Sequence, residues 1–261
     1  MNDKLKPKEV NESYEKLAEY AGTRTKEISG MVGPYIEITD KYGQLVSQIV
    51  EILGSEKPQH AQDIVIRDLM AEVFDFLYES RPLILAGKLN VAYPIARRAY
   101  ESLSLLHVCT LNKSWAQKWH DGKKIGNAEI RRELENHPRG ESEENLKQLY
   151  TFFCLATHPN RETIARRFLG EGNKYVLGVI GKPDLVILAD YCIKTLEMWF
   201  WLTATVTYYY HKVIAKHDKT YFDTYMKAAE DAKKVNQWLV ENYNNLLKEA
   251  QEYLAKNPIT E

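Results

Sequence analysis

Glycine and proline are sparse, 13 and 9 in 261 residues. Between them the apolar residues recur at spacings of three and four rather than alternating, which excludes a β protein. Cysteine is scarcer still. Cys109, Cys154 and Cys192 are odd in number, far apart and never arranged as Cys-x-x-Cys, so neither a disulfide framework nor a zinc module is expected. Charge of one sign is also missing. With 35 basic and 36 acidic side chains the formal net charge is −1, which removes the long-range field of a general nucleic-acid coat or an anionic-membrane binder. Any polyanion site must be local. Long apolar runs are absent as well, because Leu185 to Val206 carries Asp190, Lys194 and Glu197 and so cannot supply a bilayer-spanning stretch. The N-terminal residues lack the apolar core of a signal peptide, from which a cytoplasmic location is expected. There is no His-Glu-x-x-His, no Walker loop, no Gly-x-Ser-x-Gly elbow and no complete dinucleotide fingerprint. No cofactor is expected.

What is present is a globular composition, 44% hydrophobic and 27% charged, patterned for helices. An all-α multi-helix bundle of seven to nine helices is predicted, with long C-terminal helices and negligible strand. Residues 1–60 read as an N-terminal helical arm of one or two helices. Residues 61–216 read as a central helical bundle, and residues 217–261 as a C-terminal helix packing on that bundle or on a partner. Within the bundle, one helix starts near Ala61 and should run only to Pro82. Another spans Leu89 to Leu111, with Pro94 in its first turn or kinking it. Two short helices fill Ser114 to Gly140, and a third element covers Glu141 to Thr157. A long helix is expected from Asp184 to Lys216 and another from Thr220 to Lys256. Tyr175 to Ile180 is a lone strand candidate or an ordered loop.

Two segments carry the chemistry. In the first, Ala96-Arg97-Arg98-Ala99-Tyr100-Glu101, Arg97 and Glu101 lie one helical turn apart among apolar neighbours. Such a pair is worth about 0.3–0.5 kcal/mol when exposed. When buried, loss of one partner costs about 3–5 kcal/mol because the other charge is stranded. The plainer reading is a structural ion pair. In the second segment Tyr150, Cys154 and His158 follow at spacings of four along one face, ahead of Pro159. His158 falls at a helix C-terminus, which favours imidazolium, and Asn160 with Arg161 opens a further helix suited to an anion. His158 could equally serve only as a cap.

Together, Ala96-Arg97-x-x-x-Glu101 and Tyr150-x-x-x-Cys154-x-x-x-His158-Pro159 resemble a family of uncharacterised bacterial all-helical proteins over about residues 64–206. In that family the position of Cys154 is usually serine. The family is distantly similar to HEPN helical domains, many of which are dimeric ribonucleases and toxins that use an arginine and a histidine separated by four to six residues. The resemblance implies a site that binds RNA or a nucleotide, with metal-independent RNA cleavage. Arg97 and His158 would be catalytic, and Glu101, Tyr150, Cys154, Asn160 and Arg161 would bind substrate. It also implies a homo-oligomer, most simply a dimer. Arg131 or Arg132 with His137 matches the arginine-histidine spacing too, but about one such match arises by chance in a chain of this composition. That pair lies in a polar stretch.

Three alternatives stay open. The Arg97-Glu101 pair could be purely structural, within an oligomeric interaction or scaffold protein. Cys154 and His158 could join Cys109 or His107 on a metal, although His107 and Cys109 are two apart and cannot share a helical face. The aromatic run Trp199, Phe200, Trp201, Tyr208, Tyr209 and Tyr210 could stack bases, or could be core or a subunit interface.

Overall fold

A computed structural model describes residues 14–138, 140, 142–157 and 185–256. Among these the chain forms ten α-helices and no strand. They are α1 (Tyr14–Met31), α2 (Gly33–Gly54), α3 (Ala61–Leu85), α4 (Leu89–Leu111), α5 (Lys113–His120), α6 (Asn127–Asn136), α7 (Glu143–Thr157), α8 (Leu185–Tyr209), α9 (His211–His217) and α10 (Tyr221–Lys256). The expected all-α bundle is present, with more helices than the seven to nine expected. The strand candidate Tyr175 to Ile180 lies outside the described residues.

The centre is an antiparallel hairpin of α3 and α4. Its turn is closed by Ala86 N–H to Pro82 O, Gly87 N–H to Ile84 O and Lys88 N–H to Leu83 O, at 3.0, 3.0 and 2.8 Å. Gly87 takes φ 74°, a left-handed geometry that a Cβ would strain. Helix α5 packs on both α3 and α4, α6 and α7 pack on α4 and on each other, and α8 packs against α2, α4 and α10. One apolar core runs through all of these, drawing Tyr35, Ile38, Tyr42 and Ile49 from α2, Ala96 and Leu103 from α4, Leu196 and Leu202 from α8 and Leu239 from α10. That core therefore takes side chains from each of the segments 1–60, 61–216 and 217–261.

Much of this core is phenolic, and most of the buried hydroxyls are satisfied, as burial requires. Tyr35 pairs with Thr195 at 2.8 Å, Tyr191 donates to Ser80 at 2.6 Å, and Tyr100 donates to the Leu146 carbonyl at 2.7 Å.

The structure corrects two boundaries. Helix α3 does not stop at Pro82 but includes it and continues to Leu85. Pro82 costs the helix the bond to the Tyr78 carbonyl, and the last turn is held instead by bonds from Ala86, Gly87 and Lys88 to the carbonyls of residues 82 to 84. The helix expected from Asp184 to Lys216 is broken at Tyr210, which has φ −95° and ψ 13°. The break lets the Tyr210 ring turn inward, where its hydroxyl donates to Asp63 Oδ1 at 2.6 Å. Pro94 sits inside α4, beyond its first turn. Among the described residues no helix is long and apolar enough to cross a membrane.

Candidate functional site

The site begins with the way α4 is packed. Ala92, Ala96, Ala99, Leu103 and Leu106 fill its buried face, and small residues at successive turns let neighbouring helices approach closely. Arg97 and Arg98 flank that face on opposite sides. Arg98 turns to α3 and binds Glu72 at 2.8 Å with its head group exposed. Arg97 turns to α7.

Arg97 Nε donates to Glu101 Oε1 at 3.1 Å, and Nη2 donates to the Tyr150 hydroxyl at 3.2 Å. The two charged side chains are 20% and 19% exposed, between a surface pair and a sealed one. Burial works against the charged form of Arg97. The Glu101 hydrogen bond, the field of Cys154, and the fields of Glu101 and Tyr150 outweigh it and raise the pKa above its ordinary value. The guanidinium is a permanent cation. Its Cζ also lies over the Tyr150 ring, 5.3 Å from the centroid.

Helix α7 is fastened by Leu146 and Phe153, both buried, and by the hydrogen bond from Tyr100 to the Leu146 carbonyl. These anchors place Tyr150, half-buried, one turn beyond Leu146. Cys154 follows a turn later, partly exposed and within electrostatic reach of Arg97. Tyr100 lies beside the cluster with its ring 6.4 Å from that of Tyr150, and burial pushes its phenol up to about 12.

Of the residues expected at the site, Arg97, Glu101, Tyr150 and Cys154 are thus brought together. His158, Asn160 and Arg161 lie outside the described residues. One residue set aside with the arginine-histidine spacing belongs to the cluster. Arg131 of α6 lies over the Tyr150 ring at 4.9 Å, so the phenol carries two guanidiniums. It is carried beside Ile130 and Leu134, the two buried residues that dock α6. Arg132 is exposed, and its Nε donates to the Ala128 carbonyl of its own helix at 3.4 Å.

Elsewhere, His107 is committed to Trp201, whose Nε1 donates to its Nδ1 at 3.0 Å. Among the described residues no three His, Cys, Asp or Glu side chains are grouped as a metal site would need. Trp199 and Tyr210 are core, whereas Phe200 and Tyr208 are 43% and 58% exposed. No protein-family model, curated protein or solved structure matches the chain.

Proposed function

We propose that the Arg97 cluster binds a phosphate-bearing ligand, a nucleotide or an RNA strand, in a HEPN-like helical domain, and that the activity to seek there is metal-independent RNA cleavage. The observation that carries this reading is the setting of Arg97. Its charge is fixed, its orientation is set from two helices by Glu101 and Tyr150, and a fifth of it still faces solvent. A guanidinium held in this way is prepared for an oxyanion before the ligand arrives.

In the chemistry proposed, an RNA 2′-oxygen attacks the adjacent phosphorus and loses its proton to His158. The P–O5′ bond breaks and the proton passes from the imidazolium to that leaving oxygen, giving a 2′,3′-cyclic phosphate and a 5′-hydroxyl. Arg97 holds the extra negative charge of the pentacoordinate phosphorus.

Purified protein in chelator should retain or cut single-stranded RNA. His158→Ala should abolish cutting with helical content unchanged, and Arg97→Gln should abolish both. Wild-type protein that neither retains nor cuts RNA and binds no nucleotide would overturn the reading, and cutting that survives His158→Ala would remove that residue from it.

A second reading, an oligomeric scaffold in which the Arg97-Glu101 pair is structural, draws on the outer face of α8. There the exposed Phe200 lines a groove of about 470 Å³ with Leu149, Trp201 and Ala204. An exposed aromatic beside an apolar groove suits self-association. Mass measured in solution tests it, and a monomer at all concentrations would refute it.

A further inference from the structure

We infer that Arg131 is the second cation of this site and that it fits the site to the singly charged phosphodiester of an RNA strand, in preference to the doubly charged terminal phosphate of a free nucleotide. The inference rests on the Arg97 cluster being a phosphate site and narrows the ligand that it takes.

The first argument is an unmet need. Among the described residues, Arg131 Nε and Nη1 are buried and have no hydrogen-bond partner. A buried donor on a charged group left without an acceptor is costly, and native proteins seldom keep one without a use. The side chain as a whole stays partly exposed. A small turn of the guanidinium therefore offers these donors to an incoming oxyanion.

The second argument is placement. Arg131 and Arg97 sit 4.9 and 5.3 Å from the centroid of the one Tyr150 ring. They come from different helices, and each lies within cation–π distance of the same ring. Two like charges at one ring repel each other until an anion lies between or beside them.

The third argument is the balance of charge. Glu101 offsets one of the two positive charges, by its direct bond to Arg97. Tyr100 is uncharged, because burial raises its phenol to about 12 and its hydroxyl donates to the Leu146 carbonyl. Among the described residues, Arg97, Arg131 and Glu101 sum to a single positive charge. A phosphodiester carries one negative charge and neutralises it. A terminal phosphate carries nearly two and would leave uncompensated negative charge beside Glu101, in a partly desolvated place.

The test uses the full-length chain and a short single-stranded 2′-O-methyl RNA with hydroxyl ends, which supplies phosphodiesters, has no terminal phosphate and cannot be cut. Binding is followed by fluorescence anisotropy across a salt series. Arg131→Gln should weaken binding about tenfold and lower the salt slope by about one, as expected for one lost phosphate contact. Arg131→Lys keeps the charge without the planar fork and should keep the slope while losing part of the affinity. Arg132→Gln, on the outward face, should change little. A nucleoside 5′-monophosphate should compete weakly.

If Arg97→Gln destroys binding while Arg131→Gln leaves affinity and slope at wild-type values, Arg131 only fastens α6 to α7. The inference then falls and the phosphate reading stands. If the monophosphate competes as well as the strand, or binds where the strand does not, the preference for a diester is wrong. If wild-type protein binds neither the strand nor the monophosphate, or neither arginine matters, the inference and the reading fail together. Should Arg131→Gln unfold, the salt slope of Arg131→Lys decides, and a slope lowered by one in spite of the retained charge would count against a phosphate contact.

Discussion

Replacing Tyr150 separates the two things that its side chain does. Tyr150→Phe keeps the ring under both guanidiniums and removes only the hydroxyl that accepts from Arg97 Nη2 at 3.2 Å. A hydrogen bond to a charged group is worth about 1.5–3 kcal/mol. With the arginine 20% exposed and the bond long, water replaces part of that, and a loss of about 1 kcal/mol is expected. Tyr150→Ala removes the ring as well. Two cation–π contacts at roughly 0.5–1 kcal/mol each, added to the lost packing against Tyr100, bring the expected loss to about 3 kcal/mol, the low end for deleting an aromatic side chain. In a chain of this size about 1 kcal/mol moves the melting temperature by roughly 2–4 °C. Circular dichroism at the helix band should therefore show a small step for Phe and a large one for Ala. A double-mutant cycle of Tyr150→Phe with Arg97→Gln should give a coupling of about 0.5–1 kcal/mol. Strict additivity would show that the Arg97 to Tyr150 bond does not hold α4 to α7. Equal losses for Phe and Ala would show that the ring does not support the guanidiniums.

Two further measurements probe the frame around the site. Tyr210→Phe should cost about 1.5–3 kcal/mol in a denaturant titration, because the phenol donates to Asp63, which is also paired with Arg67 at 3.1 Å; an unchanged midpoint would mean that the bend at Tyr210 has another cause. A thiol reagent applied to native protein should label Cys154 alone. Cys109 and Cys192 are sealed in the core, and burial raises both thiols, that of Cys109 to about 12; immediate labelling at all three positions would contradict the packing of α4 against α8.

Helix periodicity carried most of the fold because the core is one connected apolar body and each helix shows it a stripe. The approximate bounds read for the helix from Leu89 to Leu111 agree with the structure, where the Gly87 turn precedes it and Asn112, which accepts from the Ser114 N–H, caps the next helix. What the pattern hid were departures driven by partners remote in sequence. Pro82 argued for a stop, yet the carbonyls of residues 82 to 84 found donors in the Gly87 turn and held the last turn together. Nothing local to Tyr208-Tyr209-Tyr210 marks a break. It depends on a carboxylate 147 residues earlier, at Asp63.

The same division runs through the site. Arg97 and Glu101 are neighbours by helical arithmetic, so their pair was legible from spacing alone. Tyr150 was legible from its spacing of four with Cys154 and His158 along one helical face, and the resemblance added only its role in binding. Arg131 was hidden altogether. Its helix is polar, and its one apparent motif was of a kind that chance supplies. Its role follows from a fact no local pattern encodes, that Ile130 and Leu134 dock α6 where α4 meets α7. A cation brought in by a peripheral helix differs in use from one on the central helix. Arg97 is surrounded by packed neighbours and can move little, whereas Arg131 rests on a ten-residue helix with two buried residues to hold it. On the proposed reading, Arg97 would fix where an oxyanion lies and Arg131 would supply the second contact to it.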